Sequence, residues 1–184
     1  MNSKLFQKTL GIVGGGQLGK MLLSECNKMN IKTHILDPND NSPCKKMTNK
    51  FHLGDFKDFD TVLNFGKECD LITFEIEHIN VDALEKLEAL GKEVYPSSDT
   101  LRIIQDKNKQ KCFFKDHNIP TANFKFFENI QELNKSINNN EIKFPCVWKK
   151  TKFGYDGFGV KILKSVDDTI DLPQTEMILS LIHI

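Results

Sequence analysis

What is scarce in these 184 residues narrows the reading first. Net charge is absent, 25 Lys+Arg balancing 25 Asp+Glu, so no broad cationic field draws the chain onto nucleic acid or an anionic membrane. No apolar run reaches the roughly 18 residues of a transmembrane helix. Met1–Thr9 lacks the apolar core and small-residue cleavage site of a signal peptide. A soluble, cytoplasmic protein is expected. Cysteine is scattered: Cys26, Cys44, Cys69, Cys112 and Cys146 are odd in number and form no C-x-x-C pair. Neither a disulfide framework nor a zinc site is therefore expected. Arginine is nearly missing, Arg102 standing against 24 lysines, so Lys is expected at positions where other chains use Arg. No internal repeat or low-complexity tract stands out.

What is present is enough chain for one full domain and part of another. The first third alternates short apolar runs with amphipathic stretches, the order of a βαβ series feeding a parallel sheet. Thr9–Val13 reads as a buried strand. Gln17 to Met29 follows, with Leu18, Met21, Leu22, Cys26 and Met29 spaced as one helix face. Ile31–Leu36, Phe51–Asp55 and Asp70–Phe74 read as further strands, with a helix near Phe59–Lys67 between the last two. Val81–Leu90 is an amphipathic helix ended by Gly91, and Glu93–Tyr95 closes the sheet before Pro96. A short helix carrying Leu101, Ile103 and Ile104 and a Lys-rich helix from Asp106 to Asn118 come next. After Pro120 the texture changes to Phe-rich strand segments, and a domain boundary is expected near residue 100, giving domains 1–100 and 101–184. Glu176–Ile184 is an apolar stretch with no closing element, read as a truncation or a tail that is not native sequence.

Two glycine loops carry the chemistry. Gly14-Gly15-Gly16-Gln17-Leu18-Gly19 satisfies G-x-G-x-x-G between a strand and a helix, with Asp37 at the end of the next strand. Glycines there allow a tight turn and bring backbone N–H groups to an anion at the positive end of the helix dipole. Three readings stay open: a nicotinamide or flavin dinucleotide with Asp37 on its ribose, another phosphate-bearing ligand, or close strand–helix packing. The second loop lies in Phe144–Val160, a strand followed by a Lys cluster and Gly154, Gly157 and Gly159. Such a hairpin folds over a polyphosphate, with Lys149 as a point charge and the glycines presenting backbone donors. The alternative is an ordinary hairpin with a solvated Lys face.

Taken together, the motifs resemble the ATP-grasp family, and within it the ATP-dependent 5-(carboxyamino)imidazole ribonucleotide synthases of purine biosynthesis. The resemblance runs through Gly11–Met21, Ile35–Pro38, Gly54–Asp58, Ile72-Thr-Phe-Glu-Ile-Glu-His78, Val94–Pro96, Gln105–Lys111, Ile119-Pro120 and Gly154-Tyr-Asp-Gly157. It implies an α/β fold, a Rossmann-like parallel-sheet pre-ATP-grasp domain followed by an incomplete α+β ATP-grasp domain. The implied reaction phosphorylates bicarbonate with ATP to carboxyphosphate and passes the carboxyl group to the amine of 5-aminoimidazole ribonucleotide. By the same resemblance Gly16, Gln17, Leu18 and Glu75 are expected to contact the substrate nucleotide, and Lys107, Lys149, Gly154 and Gly157 to hold ATP. Tyr155 and Asp156 are expected at the reacting imidazole, Asp156 accepting from its amine. Glu77 and His78 carry weaker expectations, an exposed strand-end carboxylate and a structural histidine.

Two departures from the family pattern stand out. Phe158 occupies the position after Tyr-Asp-Gly where relatives carry Arg or Lys, which leaves Lys150 or Lys152 to compensate. The adenine strand and the magnesium ligands are expected beyond residue 184, so no metal ligand is assigned here, and the 184-residue chain alone is expected to have no carboxylation activity. Relatives suggest a homodimer at full length, with small-molecule substrates and no nucleic acid or membrane partner. The competing readings are an NAD-dependent oxidoreductase and a non-catalytic nucleotide-binding remnant.

Overall fold

Alternation along the first two strands divides one sheet into two cores. In β1 (Thr9–Val13) and β2 (Lys32–Asp37), Ile12 and Ile35 fall in one buried cluster while Val13 and Leu36 fall in the other. That is the period of two expected for a sheet covered on both faces. The structure is a computed structural model, and it describes residues 8–152, 154 and 158–181. The chain divides into two units, Met1–Arg102 and Ile103–Ile184.

In the first unit, β1 and β2 join β3 (Lys50–Leu53), β4 (Leu71–Phe74) and β5 (Glu93–Val94) in the order β3-β2-β1-β4-β5, all neighbours parallel. This is a doubly wound arrangement whose strand order reverses between β1 and β4, the place where such sheets open a crevice at their carboxyl ends. One face is covered by α2 (Phe59–Lys67) and α3 (Val81–Ala89), which supply Val62, Phe65, Ala83, Leu84 and Leu87 to the larger cluster. Both helices begin on a side-chain cap: Asp58 accepts from Thr61 N at 2.8 Å and Asn80 from Ala83 N at 3.0 Å. Gly91 ends α3 with φ +80°, the left-handed conformation expected of it.

The other face is covered by α1 (Gln17–Lys28), and here the expected orientation is corrected. Its buried residues are Gly19, Leu23 and Cys26, whereas Leu18, Met21 and Met29 stand about 60% exposed. A Cβ on Gly19 would lie 2.5 Å from the Gly14 carbonyl oxygen. The helix therefore seats Gly19, Leu23 and Cys26 against the sheet, while Leu18, Met21 and Met29 face outward. α4 (Ser98–Ile104) follows β5.

In the second unit, β6 (Phe124–Phe127), β7 (Cys146–Lys150), β8 (Val160–Leu163) and β9 (Met177–Leu181) form an antiparallel sheet in the order β6-β9-β7-β8. α6 (Ile130–Asn138) covers it through Ile130 and Leu133, packed with Phe127, Trp148, Leu163 and Met177. β9 lies within the stretch read from sequence as having no closing element, yet it is an inner strand paired on both sides. Met177, Ile178, Leu179 and Ser180 are all buried. A continuous apolar run is the pattern of a strand buried on both faces. α5 (Lys107–Asp116) completes the unit. No described helix is long and apolar enough to cross a membrane.

Candidate functional site

The first glycine loop sits at the switch point between β1 and β4, and the chain's own carboxylates occupy its amides. Gly15 N donates to Asp37 Oδ2 at 2.7 Å, and Asp37 Oδ1 accepts from Asn39 N at 2.8 Å. Asp37 is buried at 8% exposure, bonded through both oxygens. Across the switch point, Gly16 N donates to Glu75 Oε1 at 3.2 Å, and Glu75 N donates to the Val13 carbonyl at 3.1 Å. Gly14, at φ +100°, has Glu75 where a Cβ would meet it at 2.8 Å, so the loop needs glycine there for space as well as for conformation. Ser42, buried and unremarked in the sequence, donates to the Gly15 carbonyl at 2.7 Å. Ser42 belongs to the loop after β2, and no local pattern marks it.

This geometry bears on the three readings of the loop. A dinucleotide pyrophosphate needs free amides and a free ribose-binding carboxylate, and here one carboxylate occupies Gly15 and another Gly16. The field is negative as well: burial, then the charges of Asp37 and Glu75, push the Cys44 thiol above its ordinary pKa. A pyrophosphate on Gly15 and Gly16 would meet two carboxylates. Glu75 Oε2 makes no hydrogen bond among the described residues, and Gln17 and Leu18, which follow Gly16 in sequence, are exposed on the first turn of α1. The structure thus brings Gly16 and Glu75 into direct contact. Glu77 is exposed and His78 half-buried.

The second loop is built by α5 and β7. Asp106 caps α5, accepting from Asn108 N at 2.9 Å and Lys109 N at 3.2 Å. Lys107 N donates to the Thr151 carbonyl at 2.8 Å, which ties the helix start to the end of β7. Lys107 Nζ then donates to the Gly154 carbonyl at 3.1 Å, and a Cβ on Gly154 would lie 3.3 Å from that ammonium. Two residues expected to serve ATP are therefore in contact. Tyr155, Asp156 and Gly157 lie outside the described residues.

Lys111, one turn along α5 from Lys107, has no role assigned from sequence yet belongs to this region. Its ammonium donates to Thr121 Oγ1 and to the Ala122 carbonyl and is half-buried. Burial, then the positive charge of Lys149, holds its pKa below the ordinary lysine value. Lys107 and Lys111 share a helix face by their four-residue spacing, a signal present in the sequence. Three ammonium groups thus belong to the α5–β7 region, an electrostatic demand for an anion.

The two candidates for replacing a basic residue at Phe158 differ. Lys152 Nζ stands 3.6 Å from Asp106 and 3.6 Å from Glu176, committed to both. Lys150 N donates to the Gly159 carbonyl at 2.8 Å, and its side chain runs beside Gly159. Phe158 itself is 67% exposed.

A third polar group lies on elements of the first unit that carry neither glycine loop. His34 on β2 and His52 on β3 approach Glu68 at the end of α2, and burial holds both imidazoles below their ordinary pKa.

Comparison with known proteins places these features. The family description "Ribonucleotide synthetase preATP-grasp domain" matches residues 7–105, and "ATP-grasp domain" matches residues 112–177. The chloroplastic phosphoribosylaminoimidazole carboxylase of Vigna aconitifolia is 36% identical over 164 residues, covering 89% of this chain and 29% of that protein. N5-carboxyaminoimidazole ribonucleotide synthetase from Thermotoga maritima superposes with a TM-score of 0.84 at 35% identity, covering 96% of this chain and 46% of that one. N5-carboxyaminoimidazole synthase from Aspergillus clavatus, solved with ADP and 5-aminoimidazole ribonucleotide, superposes with a TM-score of 0.82 at 29% identity, covering 94% and 46%. The chain thus spans less than half the length of each of these relatives. With a pre-ATP-grasp match over more than half its residues and similarity running on into the second sheet, the chain belongs to the N5-carboxyaminoimidazole ribonucleotide synthase family of ATP-grasp proteins.

Proposed function

We propose that this chain supplies the substrate-nucleotide domain and the opening part of the ATP-grasp domain for ATP-dependent N-carboxylation of 5-aminoimidazole ribonucleotide. The division falls near residue 100. In this reaction a bicarbonate oxygen attacks the γ-phosphorus of ATP and ADP leaves. The amine nitrogen then attacks the carboxyl carbon of carboxyphosphate, phosphate departs, and the amine gives up a proton. The protein's task is to align the groups, neutralise charge on the transferring phosphoryl and keep water from the intermediate.

The observation that carries the reading is the Lys107–Gly154 contact, which sets an ammonium at the mouth of a glycine loop with Lys111 and Lys149 in the same unit. Lys107 and Lys149 are assigned to ATP phosphate oxygens, with Gly154 and Gly157 shaping the loop over them. Gly16, Gln17, Leu18 and Glu75 are assigned to the substrate nucleotide. Glu75 already orders the loop through Gly16, so it accepts from the ligand through its other oxygen. Tyr155 and Asp156 are assigned to the imidazole, Asp156 accepting from the amine. Lys150 takes the place of the missing base after the glycine loop.

Mg2+ would enter with ATP and screen its phosphates. Asp106 and Glu176, the carboxylates at this end of β7, both face Lys152, so no Mg2+ ligand is assigned to them. A homodimer in the cytoplasm, acting on small molecules without nucleic acid or membrane, belongs to the same proposal.

Calorimetric titration of the chain with ADP, with 5-aminoimidazole ribonucleotide and with NADH tests it. Binding of the first two supports the reading. Tight NADH binding with no response to either of the others overturns it.

A further inference from the structure

His34, His52 and Glu68 come from three different elements and converge on one point. β2 and β3 pair with His34 opposite Lys50 and Leu36 opposite His52. Residues 34, 36, 50 and 52 therefore share a face, and diagonal side chains on a sheet lie within reach of each other. The two imidazole rings are 5.5 Å apart between centroids. α2 ends above them: Phe65 packs edge-on to His52 at 5.1 Å, and Glu68 follows one turn later. One ligand atom from each of His34, His52 and Glu68 lies within 4.8 Å of the other two.

We propose that His34, His52 and Glu68 form a binding site for a borderline divalent transition-metal ion, Zn2+ foremost, on elements that carry neither glycine loop. Two imidazoles and one carboxylate are the donor set of an open tetrahedral zinc site with water in the fourth position. Mg2+ and Ca2+ are disfavoured because they select oxygen ligands. The spacing is close to what coordination needs. Tetrahedral ligands about 2.1 Å from zinc stand roughly 3.4 Å from one another, and His52 Nε2 is 3.7 Å from Glu68 Oε2. Small side-chain rotations close the remainder.

One observation points to a missing occupant. His52 Nε2 is a buried polar nitrogen with no hydrogen-bond partner, the single such side-chain atom among the described residues. Folded proteins pair nearly all such atoms, so an exception calls for a cause. His34 Nδ1 lies 3.9 Å from the buried Cys69 Sγ, which leaves Nε2 as the nitrogen available to a metal. The entry path is open on one side, since Glu68 is 46% exposed. Lys50 holds that opening in the metal-free chain, its ammonium paired with Glu68 Oε2. A cation arriving at Glu68 therefore displaces an ammonium and leaves the carboxylate satisfied.

The test is zinc titration of tag-free, metal-stripped chain against a chromogenic zinc chelator, repeated with Co2+ to read its visible d–d bands. One equivalent is expected, with a tetrahedral Co2+ spectrum and a raised melting temperature. Glu68→Gln, at an exposed position that leaves the fold intact, is expected to weaken binding at least about tenfold, as is His52→Gln. Lys50→Met removes the competitor and is expected to tighten binding severalfold. Zinc uptake that is absent, or that is unchanged in both Glu68→Gln and Lys50→Met, overturns the site.

Discussion

The Gly15 amide donates to Asp37 Oδ2 at 2.7 Å, and this bond changes what the first glycine loop can be used for. In a dinucleotide site the carboxylate after the second strand faces the ribose. Here it is turned inward and holds the loop and the Asn39 amide together. Replacing Asp37 with Ala leaves both amides without that acceptor. Hydrogen bonds to charged groups contribute about 1.5–3 kcal/mol each. Asp37→Ala is expected to lose roughly 2–4 kcal/mol of unfolding free energy in urea, and Asp37→Asn less. No NADH binding is expected in the wild type or in either variant. An unchanged urea midpoint for Asp37→Ala would remove the clamp.

The Lys107–Gly154 contact leads to a second expectation. A lysine that only closes the loop and one that also meets phosphate respond differently to Arg. Lys107→Ala is expected to weaken ADP binding about tenfold, the loss of one charge-assisted bond, and Lys107→Arg to recover most of it. Lys149→Ala is expected to behave alike and to raise the Lys111 pKa toward normal, because the neighbouring positive charge is gone. Titration of ADP into each variant, with the Lys111 ammonium followed by NMR, checks both. Equal affinity in Lys107→Ala and wild type would detach this lysine from the nucleotide.

Much of this architecture was legible locally, and the exceptions share a cause. The helix expected near Phe59–Lys67 forms as α2, and the structure adds Asp58 as its cap. Gly91 announced the end of α3. On α1 the expected face holds only at Cys26: the buried side is rotated to Gly19 and Leu23, because the helix start must pass close to the Gly14 carbonyl and only glycine fits there, a demand that apolar periodicity does not register. β9 became visible only through its partners β6 and β7, which are distant in sequence. For the same reason His34, His52 and Glu68 formed no motif. They meet through strand register and the length of α2, neither of which has a local signature. The glycine motif showed where a loop would be, and only the geometry showed its amides occupied by Asp37 and Glu75.

Gly19 offers a direct check on that close helix seating. A Cβ there would lie 2.5 Å from the Gly14 carbonyl oxygen, and backbone cannot rotate aside as a side chain does. Gly19→Ala is expected to push α1 from the loop and to cost about 1–3 kcal/mol, the usual penalty of overpacking. Its amide spectrum should change at Gly15 and Gly16, and affinity for 5-aminoimidazole ribonucleotide should fall with it. Gly91→Ala separates space from conformation, since nothing stands within 4 Å of a Cβ there and only the φ of +80° resists. That variant is expected to lose stability with no change in ligand affinity.

The acid response of the second unit is expected to depend on Asp168. Its Oδ2 accepts from Lys164 N at 2.7 Å and Ser165 N at 3.1 Å, closing the short 3-10 helix Val166–Thr169 after β8. The Lys164 amide, then the Ser165 amide, hold this carboxyl below the ordinary aspartate value. A carboxyl depressed in the folded state binds its proton more readily when unfolded, so its stabilisation is complete above the unfolded value of about 3.9 and is lost as pH falls toward the folded one. Asp168→Asn keeps an acceptor oxygen and removes the titration. Melting temperatures from neutral pH down to pH ~3 should therefore converge for wild type and Asp168→Asn at the acid end, with wild type the more stable near neutrality. Parallel curves that never converge would mean that the carboxyl titrates in the folded chain as it does unfolded, and that the two amides do no more for the charge than water does.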